Sequence, residues 1–210
     1  MIPGMLGRKL GMTQVYDDTG RAVPVTVIEA GPCVVVQKKT VEVDGYNAVQ
    51  LGLGEIRPRL VNRPLKGHFE RAGVKPVRRL AEFRTDAAAA CEPGQEVTVD
   101  MFEQGDLVAI TGVSKGKGFA GGVRRHGFGR GPMAHGSKYH RGPGSLQSRA
   151  ASRVFKGRKL PGHLGAQATT VKNLTVVRAD AERNLLLVKG AVPGPRGQWL
   201  AIRRVADRRG

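Results

Sequence analysis

Residues 106–125 read DLVAITGVSKGKGFAGGVRR, and the character of the chain changes within them. The first eight residues, 106–113, are mostly apolar and β-branched, which indicates a strand. The following residues are mainly glycine and basic side chains, which cannot form a hydrophobic face. A β-strand therefore gives way to a basic, glycine-rich segment, and this change defines the organisation of the protein.

The positive charge is concentrated in one part of the chain. The 73 residues between Asp106 and Asp180 contain no Asp or Glu, but they hold 14 of the 35 Lys and Arg and four of the five His. The remainder has 21 basic and 17 acidic residues, so it contributes +4 to the net charge of +18. Because massed like charges repel one another in a compact fold, this distribution indicates a polyanionic partner.

Glycine is concentrated in the same segment, with 14 of the 30 glycines at positions 112–165. Ordering a glycine costs conformational entropy and buries no side chain, so the segment cannot build its own core. We predict an extended basic arm over residues 113–165 that is mobile when free and ordered when phosphates neutralise it. A flexible linker is the alternative, but linkers usually carry few or mixed charges.

Composition also indicates the class of partner and the cellular location of the protein. The chain has 23 Arg and 12 Lys, and guanidinium groups suit phosphate and nucleobases, which favours nucleic acid over a membrane. No stretch approaches the roughly 20 apolar residues that span a bilayer, and the first residues lack the apolar core of a signal peptide. We expect a cytoplasmic protein in which Cys33 and Cys91 are small buried residues.

Strand signals flank the predicted arm on both sides. They occur at 22–30, 32–38, 46–53, 95–99 and 106–113 before it, and at 168–179, 184–189 and 198–204 after it, with a hairpin turn at 16–20. We predict a mainly β protein: an antiparallel β-barrel body from residues 1–112 and 166–210, with a small α/β insert at about 57–95 that contains helices near 64–72 and 86–90.

Enzyme and cofactor motifs are weak in this chain. Residues 116–121, GKGFAG, match the dinucleotide fingerprint, but further glycines interrupt the helix it needs and no acidic residue follows before Asp180. The histidines of the run have spacings that fit no common zinc module. The run also lacks the carboxylate or cysteine of an acid/base pair. We therefore expect no cofactor, no metal and no catalysis.

Cations and aromatic rings alternate along the arm, a pattern typical of RNA binding, where cations contact phosphates and rings stack on bases. The candidate RNA-binding residues are Lys115, Lys117, Phe119, Arg124, Arg125, His126, Arg130, His135, Lys138, Tyr139, His140, Arg141, Gln147, Arg149, Arg153, Phe155, Lys156, Arg158, Lys159 and His163.

Several long motifs then become recognisable. They are GRKLGMTQ at 7–14, PVTVIEAGPC at 24–33, GYNAVQLG at 45–52, TGVSKGKGF at 111–119, RVFKG at 153–157 and DAERNLLLVKGAVPG at 180–194. Together they resemble the family of large-subunit ribosomal protein three, in its bacterial form, over nearly the whole chain.

The resemblance implies a six-stranded barrel of the translation-protein type, a small α/β insert and an internal extension that enters the large ribosomal subunit. It also implies a primary 23S rRNA-binding protein of early assembly, with residues 143–152 at a tip near the peptidyl transferase centre. The implied neighbours are ribosomal proteins of the fourteen and nineteen types, and no homo-oligomer is expected.

The tip departs from the pattern of some family members, which carry GQNQTPG with a methylated glutamine. This chain reads LQSRAAS at 146–152, which places Gln147 and Arg149 at the two glutamine positions. Gln147 is therefore the candidate for such methylation. Two other readings stay open: an RNA-modifying enzyme with a basic groove, and a basic DNA-architectural protein.

Overall fold

The computed structural model describes residues 2–205. In chain order the strands are β1 (Gly4–Tyr16), β2 (Ala22–Ala30), β3 (Cys33–Lys39), β4 (Ala48–Glu55), β5 (Val77–Arg84), β6 (Glu96–Val97), β7 (Leu107–Val113), β8 (Phe119–Ala120), β9 (Gly162–His163), β10 (Ala168–Asp180), β11 (Leu185–Lys189) and β12 (Trp199–Arg204). The α-helices are α1 (Val41–Asp44), α2 (Arg63–Arg71) and α3 (Gly122–His126), and short 3-10 helices occur at Pro58–Leu60, Asp86–Ala90, Val99–Met101 and Arg149–Ala151.

Six strands close into an antiparallel barrel in the order β1-β12-β7-β10-β11-β2. The two ends of the chain meet in it, because β1 pairs with β12 and Gly4 lies opposite Arg203. Closure leaves no unpaired edge in the barrel. The predicted mainly β fold with an antiparallel barrel is confirmed.

The barrel interior follows from period-two alternation along the strands. On β7, Val108 and Ile110 are fully buried, whereas Leu107 is 38% exposed. Ile110 lies opposite Ile202 of β12, which is also fully buried. One face of each strand therefore fills the barrel, and the other faces outward.

A second sheet has the strand order β5-β4-β3-β6. Its buried side chains, such as Val35, Leu51 and Phe83, belong to the same hydrophobic cluster as Met5 and Ile202 of the barrel. The two sheets thus share one core within the unit that contains the described residues 2–113 and 168–205.

The α/β insert is larger than predicted. The prediction began it at residue 57, but β3 and β4 already pair in the second sheet and not in the barrel. Their valine-rich sequences satisfy either sheet, so local pattern does not reveal the partner strand. The strand β5 was missed because it is an edge strand whose charged residues, including Arg78 and Arg79, obscure the alternation.

The predicted hairpin turn between β1 and β2 is confirmed. The Oδ1 atom of Asp17 accepts hydrogen bonds from the side chain and backbone N–H of Thr19 and from the backbone N–H of Arg21. The hydroxyl of Thr19, followed by these N–H groups, holds the pKa of Asp17 below its usual range. Gly20 adopts φ +76°, a left-handed conformation that glycine reaches without strain.

Cys33 and Cys91 are both buried, as predicted. Burial raises the pKa of the Cys33 thiol to about 12, although a contact with the Leu6 carbonyl acts in the opposite direction. The Cys33 side chain therefore stays protonated at neutral pH and packs as a small apolar group.

A buried lysine of β1, Lys9, forms hydrogen bonds with the loop at residues 190–198, which precedes β12. The Lys9 side chain is 8% exposed, and its ammonium group donates to the carbonyl oxygens of Val192 and Gly194, each at 2.9 Å. The backbone of Lys9 also pairs with Gly197 and Gln198. This residue links β1 to the loop at both backbone and side-chain level.

We expect Lys9→Met to lower the free energy of unfolding by about 1–3 kcal/mol, because two buried carbonyl oxygens lose their donor while the apolar stem keeps its packing. Urea denaturation followed by the fluorescence of the single tryptophan, Trp199, measures the effect. Lys172→Met, at an exposed position of β10, is the matched control and is expected to change stability by less than about 0.5 kcal/mol. Equal losses in the two variants would contradict the structural role of Lys9.

Candidate nucleic-acid interface

Residues 114–167 form a separate compact unit, which we call the arm. The predicted arm covered residues 113–165, so the two segments nearly coincide. The base of the arm is an antiparallel pair of chain segments, in which β8 pairs with β9 and Phe119 lies opposite His163. Backbone hydrogen bonds between Ser114 and Gln167 and between Lys117 and Leu164 extend this pairing. The arm therefore begins as a two-stranded stem.

The arm lacks a conventional hydrophobic core. Among residues 114–167, all of which the structure describes, only Ala120 and Gly122 are buried. Side-chain to backbone hydrogen bonds replace apolar packing: Arg125 Nη1 lies 2.7 Å and His126 Nε2 3.0 Å from the carbonyl oxygen of Leu160. These contacts connect α3 to the segment that precedes β9.

Glycine allows close contacts within this hydrogen-bonded framework. A Cβ atom at Gly162 would lie 2.4 Å from Nη1 of Arg125, and one at Gly122 would lie 2.7 Å from the ring of Phe128. The absence of a side chain at these positions thus lets Arg125 and Phe128 approach the backbone. This close packing explains part of the glycine content of the arm, in addition to the backbone freedom that glycine provides.

Tyr139 organises the middle of the arm. Its hydroxyl donates to the carbonyl oxygen of Gly142, and its ring packs where a Cβ of Gly142 would lie, 2.4 Å away. The neighbouring His140 contacts the carbonyl oxygen of Pro132 through Nδ1 at 2.9 Å, and its own carbonyl accepts from the N–H of Gly131 at 3.0 Å. Tyr139 and His140, both predicted as RNA-binding residues, are thus also structural.

Most of the basic residues that were predicted to bind RNA have exposed side chains. Exposed side chains occur at Lys115, Lys117, Arg124, Arg130, Lys138, Arg141, Arg149, Arg153, Lys156, Arg158 and Lys159. Arg125 is half-buried, and Arg158 donates from Nη2 to the carbonyl oxygen of Ser145 at 2.6 Å. Guanidinium has five donors, so each of these two arginines retains others for a ligand.

The electrostatic contrast between the two units is large. The arm has 12 Lys and Arg and no Asp or Glu, a formal charge of +12, which leaves +6 of the total of +18 for the rest of the chain. No cation of the arm meets a carboxylate within its own unit, because that unit has none. Exposed like charges without internal neutralisation attract a polyanion.

Some of the aromatic and imidazole side chains that were predicted to bind RNA are exposed, and others contact the backbone of the arm. Phe119 and Phe155 are 80% and 55% exposed, so neither is a core residue. The guanidinium carbon of Arg153 lies 5.6 Å from the ring centroid of Phe155. His126 and His140 make the backbone contacts described above, whereas His135 and His163 are exposed.

Gln147, the residue predicted to be methylated, lies just before the 3-10 helix Arg149–Ala151. Its Oε1 atom is buried and has no hydrogen-bond partner. The following 3-10 helix ends at Ser152, which has φ +48°. Methylation of Gln147 stays a prediction.

A cavity of about 780 Å³ lies beside Gln147, entirely within the arm. Its wall includes Phe128, Tyr139, Leu146 and Phe155. Leu146 was not among the predicted site residues, because nothing in its local pattern distinguishes a cavity wall from an isolated apolar residue.

Within residues 2–205, no helix is both long and apolar enough to cross a membrane. Over the same described residues, no three side chains of the His, Cys, Asp or Glu type gather as a metal site would require.

Comparisons with known proteins agree on one family. The family model of ribosomal protein L3 matches residues 77–184. A protein of Carboxydothermus hydrogenoformans named large ribosomal subunit protein uL3 is 64% identical over 203 residues, which cover 97% of each chain. A protein of Pelotomaculum thermopropionicum with the same name is 59% identical over 210 residues, the full length of both. A third, from Heliobacterium modesticaldum, is 60% identical over 95% of each chain. The chain belongs to the ribosomal protein L3 family.

Proposed function

We propose that this chain is a primary 23S rRNA-binding protein that supports early assembly of the large ribosomal subunit. Membership in the family makes it a structural constituent of that subunit, and the cytoplasmic ribosome is its place of action. The observation that carries the finer proposal is the arm: 12 cations, no acid, and 11 of those cations exposed over residues 114–167.

The two units have different tasks in this proposal. The barrel and the second sheet share a hydrophobic core, so they hold a stable shape without RNA. The arm has two buried residues among 114–167 and depends on polar contacts, so folded RNA supplies the surface against which it is ordered. The cations neutralise phosphates where RNA helices approach one another, and glycine permits close contact between protein backbone and RNA.

The family resemblance supports a more specific proposal for the position of the arm within the large subunit and for the neighbouring proteins. Residues 143–152 form the part of the arm that we propose to approach the peptidyl transferase centre, and ribosomal proteins of the fourteen and nineteen types are the proposed neighbours. In this role the protein positions RNA, and the chemistry of peptide-bond formation belongs to the RNA. Turnover of an RNA substrate by the purified chain would instead support the RNA-modifying alternative.

The salt dependence of binding to a 23S rRNA fragment tests the RNA-binding proposal. If about half of the 12 arm cations contact phosphates, the slope of log K against log salt is expected to be roughly −5. Filter binding between about 50 and 200 mM salt measures this slope, over which affinity falls about a thousandfold. A slope near zero would contradict the proposal.

Two controls separate this function from its alternatives. Plain duplex DNA of equal length is expected to bind more weakly than folded rRNA, whereas an architectural DNA-binding protein would reverse the order. The protein is also expected to co-sediment with the large subunit after a high-salt wash. Its complete release from the subunit, together with tight duplex-DNA binding, would favour the architectural reading.

A further inference from the structure

The cavity of the arm combines three features: an aromatic wall, the amide of Gln147 and several basic side chains. It measures about 780 Å³, within the range of about 300–1,000 Å³ that is usual for small-molecule sites. Its aromatic wall contains Phe128, Tyr139 and Phe155. These side chains come from positions up to 27 residues apart, and the local hydrogen bonds of the arm bring them together. An aromatic cavity in a unit that has almost no buried residues requires an explanation.

The exposed ring of Phe155 is suited to stacking. Arg153 lies over the ring at 5.6 Å from its centroid, which accounts for one of its two faces. The ring is 55% exposed and lines the cavity, so a flat ligand can contact it from the cavity. Together, Arg153, Phe155 and the ligand would form a stacked arrangement of cation, ring and base.

Gln147 lines the cavity, and its Oε1 atom is buried without a hydrogen-bond partner. A buried amide oxygen that lacks a donor is unfavourable. The oxygen and nitrogen of an amide exchange places by a half turn, so Gln147 can present either an acceptor or a donor to a ligand. A nucleobase edge carries both kinds of group.

The charge of the wall selects an anionic ligand. Lys156, Arg158 and Lys159 line the same cavity, and the arm contains no carboxylate to balance them. A ligand that has a flat aromatic ring, a hydrogen-bonding edge and an adjacent negative charge satisfies all three parts of the wall. A nucleotide has this combination.

We propose that the cavity is a binding site for a single unstacked nucleotide of rRNA, whose base stacks on Phe155 and bonds to Gln147 while its phosphate contacts Lys156, Arg158 or Lys159. This inference rests on the proposed RNA-binding function. It adds to that function a local site that recognises a base, in contrast to the general attraction of the arm for phosphates.

Chemical probing of the full chain bound to full-length 23S rRNA tests the site. Dimethyl sulfate and a carbodiimide report on unpaired base edges, and hydroxyl radicals report on the backbone. The variants are Phe155→Leu and Gln147→Met, which keep the approximate size of each side chain but remove the ring or the amide. Tyr16→Leu is the matched control, since Tyr16 is a 69% exposed ring that lies outside both the arm and the cavity.

We expect at least one unpaired base to be protected in the wild-type complex and in Tyr16→Leu, and to regain reactivity in both cavity variants while the backbone footprint remains. Phe155→Leu should also weaken binding roughly tenfold, the usual contribution of one base–aromatic stack. If the backbone footprint forms and no base changes reactivity in the cavity variants, the nucleotide site is wrong but RNA binding stands. If no footprint forms in the wild type, both the RNA-binding function and this site are wrong.

Discussion

Replacement of the arm, residues 114–167, by the dipeptide Asn-Gly is expected to abolish tight rRNA binding and leave a folded body. Val113 and Ala168 lie directly opposite each other in the pairing of β7 with β10, so a two-residue turn can join them. Asn-Gly suits such a turn because both residues tolerate positive φ. The barrel and second sheet retain all their strands in this variant.

The expected loss of affinity for the 23S rRNA fragment is about a thousandfold or more near 100 mM salt, because removal of the 12 arm cations removes the main source of counterion release. The salt slope should flatten at the same time. Filter binding measures both quantities, and sedimentation shows whether the variant still enters the large subunit.

The arm replacement needs an independent measure of folding. Trp199 lies in β12 of the barrel, so its fluorescence during urea denaturation reports on the body alone. We expect the body to keep a cooperative transition at nearly the same urea concentration. Normal incorporation of the variant into ribosomal subunits would refute the view that the arm provides most of the binding free energy.

Ile110→Ala is expected to lower the free energy of unfolding of the body by about 2–5 kcal/mol. Ile110 is fully buried in β7, and its direct neighbours are Ile202 on β12 and Val171 on β10. Truncation removes apolar contacts and leaves a cavity between three strands that cannot collapse without disturbing barrel closure. Urea denaturation with Trp199 fluorescence again provides the measurement.

Leu107→Ala is the matched control for the core prediction. Leu107 lies on the same strand, but it is 38% exposed, so the same chemical truncation removes fewer contacts. We expect a loss below about 1 kcal/mol. Comparable losses in the two variants would mean that the alternation of buried and exposed residues along β7 does not define the barrel core.

Local sequence predicted much of the fold. The Val- and Ile-rich runs correspond to β2, β7 and β10, and the Asp-containing turn at 16–20 joins the first two strands as expected. The helix predicted near 64–72 is α2, where the side chain of Asn62 caps the first turn by accepting from the N–H of Leu65. These features depend on neighbouring residues, which is why pattern alone identifies them.

The arm was partly predictable for a different reason. Its charge and glycine content are properties of composition. They identified the basic residues of the arm as candidates, and the structure shows that most of these residues are exposed. The same composition concealed the internal order of the arm. Arg125 and His126 meet the carbonyl oxygen of Leu160, more than 30 positions away, and the sequence contains no local sign of that contact.

The sequence by itself determined where several of the longer strands occur, where the charge is concentrated and which side chains are candidates for RNA binding. Only the tertiary structure decided that β3 and β4 leave the barrel for a second sheet, and that Phe128, Gln147 and Phe155 surround one cavity. Strand propensity and charge are set by short-range interactions, which the sequence displays directly. Strand partners and cavity walls depend on contacts between distant residues, and these contacts are specified by the packing of the whole chain.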